Sequence, residues 1–288
     1  MESLHIVDTL SINQIVWIRS LPGDELGPSR RMVEDVEMLS VSGGFQLEEA
    51  SVATADEMLQ FLESIAIRAW DGLRPILHFD CHGDADEGLA MANGERLAWD
   101  LLADGLRQIN IATCNNLVCV FATCFGLHLG KTLRLSEASP WYLMIAPENE
   151  VTLETLEAKT RPFYEAVTAS GNITQAYVQS FAPELQLFNC QGLFARSLAR
   201  YVAQHGGRAA IDRRTENLVT RSLQEKGQPA NRDNLRKERS RIKGQLKLNQ
   251  ATVDRYAATF LIGRKPGVTL PEIKRLAAAE RKRPTTVS

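Results

Sequence analysis

Long apolar runs are missing from this chain. No stretch reaches the roughly 18 residues that a membrane-spanning helix needs, and the segment MESLH at the start lacks the basic residues of a signal peptide. The five cysteines are odd in number and lie mostly in apolar stretches. That usage argues against a disulfide framework and for a reducing compartment. We therefore expect a cytoplasmic protein that does not contact the membrane.

A strong charge of either sign is also missing, because the formal net charge is only −2. The ends nevertheless differ: residues 1–100 carry 19 acidic and 6 basic side chains, whereas residues 205–288 carry 8 and 20. We interpret this as mutual attraction between the two ends in preference to an anionic partner. The basic stretch NRDNLRKERSRIKGQLK lacks interleaved aromatics, so nucleic acid is not an expected partner.

Short apolar segments alternate with amphipathic ones over residues 1–182. The apolar segments predict strands at 11–18, from 76, at 117–124 and at 141–147, and a hairpin turn at Asn93-Gly94. The amphipathic segments predict helices at 29–39, 53–72, 99–109, 152–168 and 172–181. This order predicts an α/β fold with a mostly parallel sheet and helices on both faces.

Strand signals end near Pro183. Helical patterns follow at 188–204, 211–226 and 233–260, the last one long or broken near Gly244. We therefore predict one domain over residues 1–182, a helical C-terminal region over 183–276 and a basic flexible tail over 277–288.

Two reactive side chains, His82 and Cys124, each follow a predicted buried strand. The carboxyl ends of parallel strands meet at one edge of a sheet, and the 42 positions between the two residues leave room for a hairpin, a helix and a return strand. A thiol attacks a carbonyl as thiolate and needs a base and oxyanion donors nearby. Gly126 is expected to let the chain turn away after Cys124, whereas Cys114, Cys119 and Cys190 are expected in the core.

An alternative hypothesis is that the strand carrying His82 forms a metal site. Asp80, His82 and Asp84 resemble the Asp-Ala-His-x-Asp strand of the ureohydrolases, which use Mn. That family also needs an upstream Gly-Gly-Asp-His segment and a downstream Asp-x-Asp segment, and neither occurs here. A Mn or Zn metallohydrolase therefore stays only as an alternative, and we expect no metal and no cofactor.

The segments HG at 82–83, ATCFG at 122–126, GLAMANGERL and RPFYEAVTASGNITQAYV resemble the caspase-like cysteine peptidases of clan CD, most of all the bacterial CHAT branch related to separase. The resemblance covers about residues 12–182. It implies Cys124 as nucleophile, His82 as the acid that protonates the leaving amine, and the amides of Gly83 and Cys124 as oxyanion donors. It implies no fixed third member. His78 and Asp80 share the side of the strand that carries His82 and are therefore candidates to orient its ring.

The resemblance also bears on specificity and partners. In this clan a charge at the base of the S1 pocket selects the substrate, and Glu148 or Glu150 would favour Arg or Lys at P1. The expected function is a cysteine endopeptidase that cleaves a protein or peptide, by analogy a bacterial defence effector, with a regulatory protein as a candidate partner of the helical region. The alternative is a catalytically inactive caspase-like scaffold that binds a partner through its basic helices.

Overall fold

A computed structural model describes residues 10–281 and divides into two compact units. The first unit runs to Cys190 and also contains Phe260–Arg264; the second contains Gln191–Thr259 and the residues from Lys265 onward. The start of the chain and most of the predicted basic tail, residues 1–9 and 282–288, lie outside the described residues.

The first unit is built on a mostly parallel sheet, which confirms the predicted fold class. Its eight strands within residues 10–281 are β1 Gln14–Ser20, β2 Gln46–Ser51, β3 Pro75–Asp84, β4 Gly88–Ala90, β5 Arg96–Leu97, β6 Val118–Ala122, β7 Leu143–Ala146 and β8 Gln186–Asn189. The main path is β2-β1-β3-β6-β7-β8, in which only β8 is antiparallel to its neighbour, and β4 and β5 form a hairpin next to β3.

Helices cover this sheet because its central strands are apolar throughout. The helices of the first unit are α1 Leu26–Gly43, α2 Ala55–Trp70, α3 Trp99–Ala112, α4 Leu153–Ser170 and α5 Ile173–Gln179. Every residue of β1, β6 and β7 is buried, so both faces of the sheet are covered. Helix α1 packs on α4, and α2 packs on α3. Ser29 of α1 and Tyr164 of α4 bond to Asp80 and His78, which fixes the face of β3 on which these two helices lie.

The helix cap and the hairpin turn that the sequence predicts are both present. The hydroxyl of Thr54 accepts the amide of Glu57 at 3.0 Å, and the Glu57 carboxylate accepts the amide of Ala53 at 2.6 Å, so α2 begins with reciprocal caps. Gly94 has a φ of +90°, as the predicted turn between β4 and β5 requires.

Two strands were not predicted, and both lie at edges of the sheet. Strand β2 (QLEEAS) is polar and largely exposed, and β8 is only half-buried. Neither has the apolar run that marks a strand covered on both faces. Because β8 pairs with β7, the sheet continues past Pro183, where the helical region was predicted to begin. The division of the chain lies after Cys190 instead.

The second unit is helical within the described residues. Its helices are α6 Cys190–His205, α7 Arg208–Glu225, α8 Arg232–Leu246, α9 Gln250–Phe260 and α10 Leu270–Arg281, and the first residue of α6 and the last of α9 belong to the first unit. The predicted helix over 233–260 is thus two helices. Part of the predicted tail is ordered as α10, whose Arg281 donates to the carbonyls of Val202 and Ala203.

Many basic side chains of the second unit are paired between α7 and α8. Glu238 accepts hydrogen bonds from Ser222, Lys226 and Arg241, and these donors hold the pKa of Glu238 far below its ordinary value. Two further pairs join Arg239 to Glu216 and Lys243 to Asp212. Across residues 10–281 no helix is both long enough and apolar enough to span a membrane.

Candidate active site

His82 and Cys124 lie at the same edge of the sheet. Strands β3 and β6 are parallel neighbours whose last registered pair is Asp80 with Ala122. His82 lies on β3 two residues past that pair, and Cys124 lies two residues past it in the loop after β6, so adjacent strands bring an imidazole and a thiol to the same edge of the sheet. This juxtaposition was predicted from the sequence.

The backbone at Gly83 touches the backbone at Cys124. A Cβ atom on residue 83 would lie 2.1 Å from the carbonyl oxygen of Cys124 and 2.6 Å from Oγ1 of Thr123. Only glycine allows this approach, because a non-bonded carbon and oxygen cannot come so close. Gly83 is therefore required for the segments that carry His82 and Cys124 to meet.

One cavity of about 390 Å³ is shared by His82 and Cys124. Apolar side chains form one part of its lining, namely Leu21, Pro28, Val151, Leu153 and Leu156. Acidic side chains form another part, namely Asp24, Glu25 and Asp80. The site therefore combines an apolar wall with negative charge beside the thiol.

The thiol of Cys124 is held by the loop that follows β7. The amide of Val151 donates to Sγ at 3.5 Å, and the thiol lies 3.8 Å from the carbonyl oxygen of the same residue. The amide of Cys124 has no acceptor among residues 10–281. The sulfur is thus held by two contacts with Val151, beside an amide that has no protein acceptor among the described residues.

The sharp turn after Cys124 is made differently from the prediction. The positive φ, +58°, falls on Phe125, a conformation that is uncommon for an aromatic residue. Gly126 is required by packing instead, because a Cβ there would lie 2.9 Å from Cβ of Phe121 and 3.3 Å from Cβ of Ala146. The amide of Phe125 donates to the carbonyl of Asn149 at 3.2 Å, which anchors the turn.

Glu25 is the hydrogen-bond partner of His82, and it was not predicted from the sequence. Its Oε2 lies 2.6 Å from Nε2 of His82, and both side chains are about half-exposed. Glu25 ends a short 3-10 turn, Gly23–Glu25, directly after β1. Strand β1 pairs with β3 in a register that ends at Ser20 with Cys81, so this turn arrives beside His82. The available signal was an acidic residue just past a neighbouring strand, to which the sequence analysis assigned no role.

His78 and Asp80, which share a side of β3 with His82, bond to other residues. Asp80 Oδ2 accepts Trp17 Nε1 at 3.1 Å and the hydroxyl of Ser29, and burial raises the pKa of this carboxyl. The His78 ring stacks on Trp17 with centroids 3.7 Å apart, and its Nδ1 lies 2.9 Å from the hydroxyl of Tyr164. Burial lowers the pKa of His78 to about 3. Both side chains are buried and bond to Trp17, Ser29 and Tyr164, and neither donates or accepts a hydrogen bond with His82.

The three candidate metal ligands also bond elsewhere. Asp84 accepts the amides of Asp86 and Glu87 at 2.8 and 2.9 Å, which closes a turn. Asp80 and His82 are engaged with the groups described above. Within the described residues no cluster of three His, Cys, Asp or Glu side chains is arranged to hold a metal ion.

The two S1 candidates, Glu148 and Glu150, line a neighbouring depression of about 340 Å³. Both are exposed. Val151 lines this depression and also the cavity of Cys124, so the two are adjacent. The acids in the cavity itself are different residues, Asp24, Glu25 and Asp80.

Of the four cysteines other than Cys124, only Cys81 lines this cavity. Cys119 and Cys190 are buried as expected, whereas Cys114 is exposed and the core assignment for it was wrong. Cys114 lies in a tight loop with a φ of +57°, which turns it out of the core. Cys81 is buried beneath the cavity, and burial strongly raises the pKa of its thiol. His128 bonds through Nδ1 to the carbonyl of Ala85 and does not line the cavity.

No protein-family model matches the chain, and no curated protein is significantly similar to it.

Proposed function

We propose that this chain is a caspase-like cysteine endopeptidase in which Cys124 is the nucleophile and His82 the general acid. One observation carries the proposal: His82 on β3 and Cys124 in the loop after the neighbouring strand β6 line a single cavity. The resemblance of the surrounding segments to the CHAT branch of clan CD supports the same assignment.

The chemistry follows from the arrangement of these groups. The thiolate of Cys124 bonds to the carbonyl carbon of the scissile peptide, and the electron pair of the C=O bond moves to oxygen. The amides of Gly83 and Cys124 would stabilise that oxyanion, which is commonly a large contribution to acyl transfer. When the C=O bond re-forms, the C–N bond breaks, and imidazolium of His82 gives its proton to the leaving amine. Water then attacks the thioester and gives its proton to neutral His82; the C–S bond breaks, which releases the acid and restores the thiolate–imidazolium pair.

The proposal extends to a preference for Arg or Lys at P1. The cavity next to Cys124 is lined by acidic groups, and Asp80 is the most buried of them, with 5% of its surface exposed. Its Oδ2 is bonded, whereas its Oδ1 accepts no hydrogen bond from any described residue. A cationic P1 side chain would pair with that oxygen through a charge-assisted hydrogen bond. Glu148 and Glu150, in the adjacent depression, would attract a second basic residue of the substrate.

Peptide hydrolysis tests the proposal. Fluorogenic peptides that carry Arg or Asp at P1 are offered to the wild type, to Cys124→Ala and to Cys114→Ala, which removes an exposed thiol outside the site. We expect cleavage after Arg by the wild type and Cys114→Ala but not by Cys124→Ala. Absence of cleavage by all three would favour the inactive scaffold, and a preference for Asp would contradict the assignment of P1.

A further inference from the structure

Three neighbouring strands each carry or precede one polar group of the site. Strand β1 precedes Glu25, β3 carries His82 and β6 precedes Cys124, and these strands are adjacent in the order β1-β3-β6. The order of the groups along the sheet edge is therefore carboxylate, imidazole, thiol. A carboxylate that holds one ring nitrogen while the other nitrogen serves a nucleophile is the arrangement that orients a catalytic histidine.

We infer that Glu25 is the positioning residue of His82, an inference that rests on the proposed peptidase function. The contact of 2.6 Å is made by Nε2, and Nδ1 has no partner among residues 10–281. The bond fixes the ring on the tautomer that carries its hydrogen on Nε2, so that Nδ1 is the nitrogen that exchanges a proton with the thiol or the leaving amine.

Burial alone does not hold the His82 ring. Its side chain is 55% exposed, and Glu25 provides its only hydrogen bond from the described part of the chain. His78 and Asp80, the other polar groups on that side of β3, bond to Tyr164, Trp17 and Ser29. Without Glu25 the ring is free to rotate and to change tautomer, which removes the orientation that general acid catalysis needs.

Two variants separate the hydrogen bond from the charge. Glu25→Gln keeps an acceptor for Nε2–H but removes the negative charge, whereas Glu25→Ala removes both. Glu34→Gln, an exposed acid on α1 that does not line the cavity, is the control for the loss of one charge. For Glu25→Ala we expect kcat to fall about 10²-fold with KM nearly unchanged, a loss in the range of general acid–base catalysis. For Glu25→Gln we expect a smaller loss, and for Glu34→Gln none.

A spectroscopic measurement reports the contact without any substrate. The chain has five histidines, so ¹⁵N spectra of the imidazoles can be assigned by comparison with His82→Gln. With Cys124→Ala as background, we expect His82 as the single Nε2–H tautomer, and a mixture of tautomers after Glu25→Ala. Tyr164→Phe, which alters the contact of His78, leaves the signals of His82 unchanged.

The outcomes distinguish this inference from the proposed function. If the wild type cleaves peptides and Glu25→Ala has the wild-type kcat and wild-type His82 signals, Glu25 is not a positioning residue although the peptidase stands. If no peptide is cleaved and Cys124 resists alkylation, the peptidase is refuted, and the catalytic role of Glu25 with it.

Discussion

Gly83 and Cys124 meet at a point where no side chain fits: a Cβ on Gly83 would lie 2.1 Å from the carbonyl oxygen of Cys124. That contact is between two backbones, which cannot rotate away as a long side chain can. The strand that carries the imidazole and the loop that carries the thiol are therefore held together at a fixed distance.

The first prediction concerns this contact. Gly83→Ala forces the two backbones apart, and we expect it to lower the free energy of unfolding by about 1–3 kcal/mol, as overpacking does, and to abolish peptide cleavage. Gly130→Ala is the matched control, because a Cβ at Gly130 meets nothing within 4 Å. Urea unfolding and a cleavage assay measure both effects. Wild-type activity in Gly83→Ala would show that the two segments need not touch.

A second prediction assigns the P1 side chain to Asp80. Asp80→Asn keeps an acceptor for Trp17 and Ser29 but loses the charge, so we expect kcat/KM for Arg at P1 to fall about 10- to 10²-fold, as the loss of a charged hydrogen bond implies. Cleavage after norleucine, which is uncharged, should hardly change. If Glu148→Gln or Glu150→Gln reduces cleavage after Arg and Asp80→Asn does not, P1 binds in the neighbouring depression.

The pH dependence of the same preference follows from burial, which raises the pKa of Asp80. The carboxyl therefore takes up its proton at a higher pH than an ordinary Asp, and protonation removes its attraction for a cation. As the pH falls, KM for the Arg peptide should rise before KM for the norleucine peptide does. KM values measured for both peptides across the acid range test this, and parallel changes would argue against Asp80.

Stability should depend on pH through His78. Burial lowers the pKa of this ring from 6.5 to about 3, so between these values the unfolded chain binds a proton that the folded chain does not. Stability is therefore lost as the pH falls below about 6.5, by up to about 1.4 kcal/mol per pH unit. Unfolding at several pH values should show this slope reduced in His78→Asn but not in His205→Asn, which changes an exposed ring. Equal slopes in the two variants would contradict the assignment.

The second unit offers a test of its own. Glu238 is buried and accepts hydrogen bonds from Ser222 of α7, from Lys226 directly after α7 and from Arg241 of α8. Glu238→Gln therefore leaves Lys226 and Arg241 without a countercharge. We expect a lower melting temperature for this variant than for Glu225→Gln, which removes an exposed pair with Arg221. Equal melting temperatures would show that the network contributes nothing to stability.

The sequence predicted the parts of the fold and site that depend on buried, apolar strands. His82 and Cys124 could be brought together because each follows such a strand and parallel strands share a carboxyl edge. Edge strands β2 and β8 were missed because exposure allows them to be polar. Glu25 was missed because its position beside His82 depends on β1 lying next to β3. The order of strands across a sheet cannot be predicted from the pattern of one strand. Cys114 was misjudged because a turn with positive φ, and not hydrophobicity, decides its exposure.

Alkylation by a peptidyl chloromethylketone with Arg at P1 tests the central claim most directly. The alkylated thiol is located by mass spectrometry in the wild type and in His82→Ala, and exposed Cys114 serves as an internal reference. We predict that Cys124 is alkylated much faster than Cys114 in the wild type, and that this advantage disappears in His82→Ala. Preferential alkylation of Cys114, or a Cys124 rate that does not change without His82, would contradict the account.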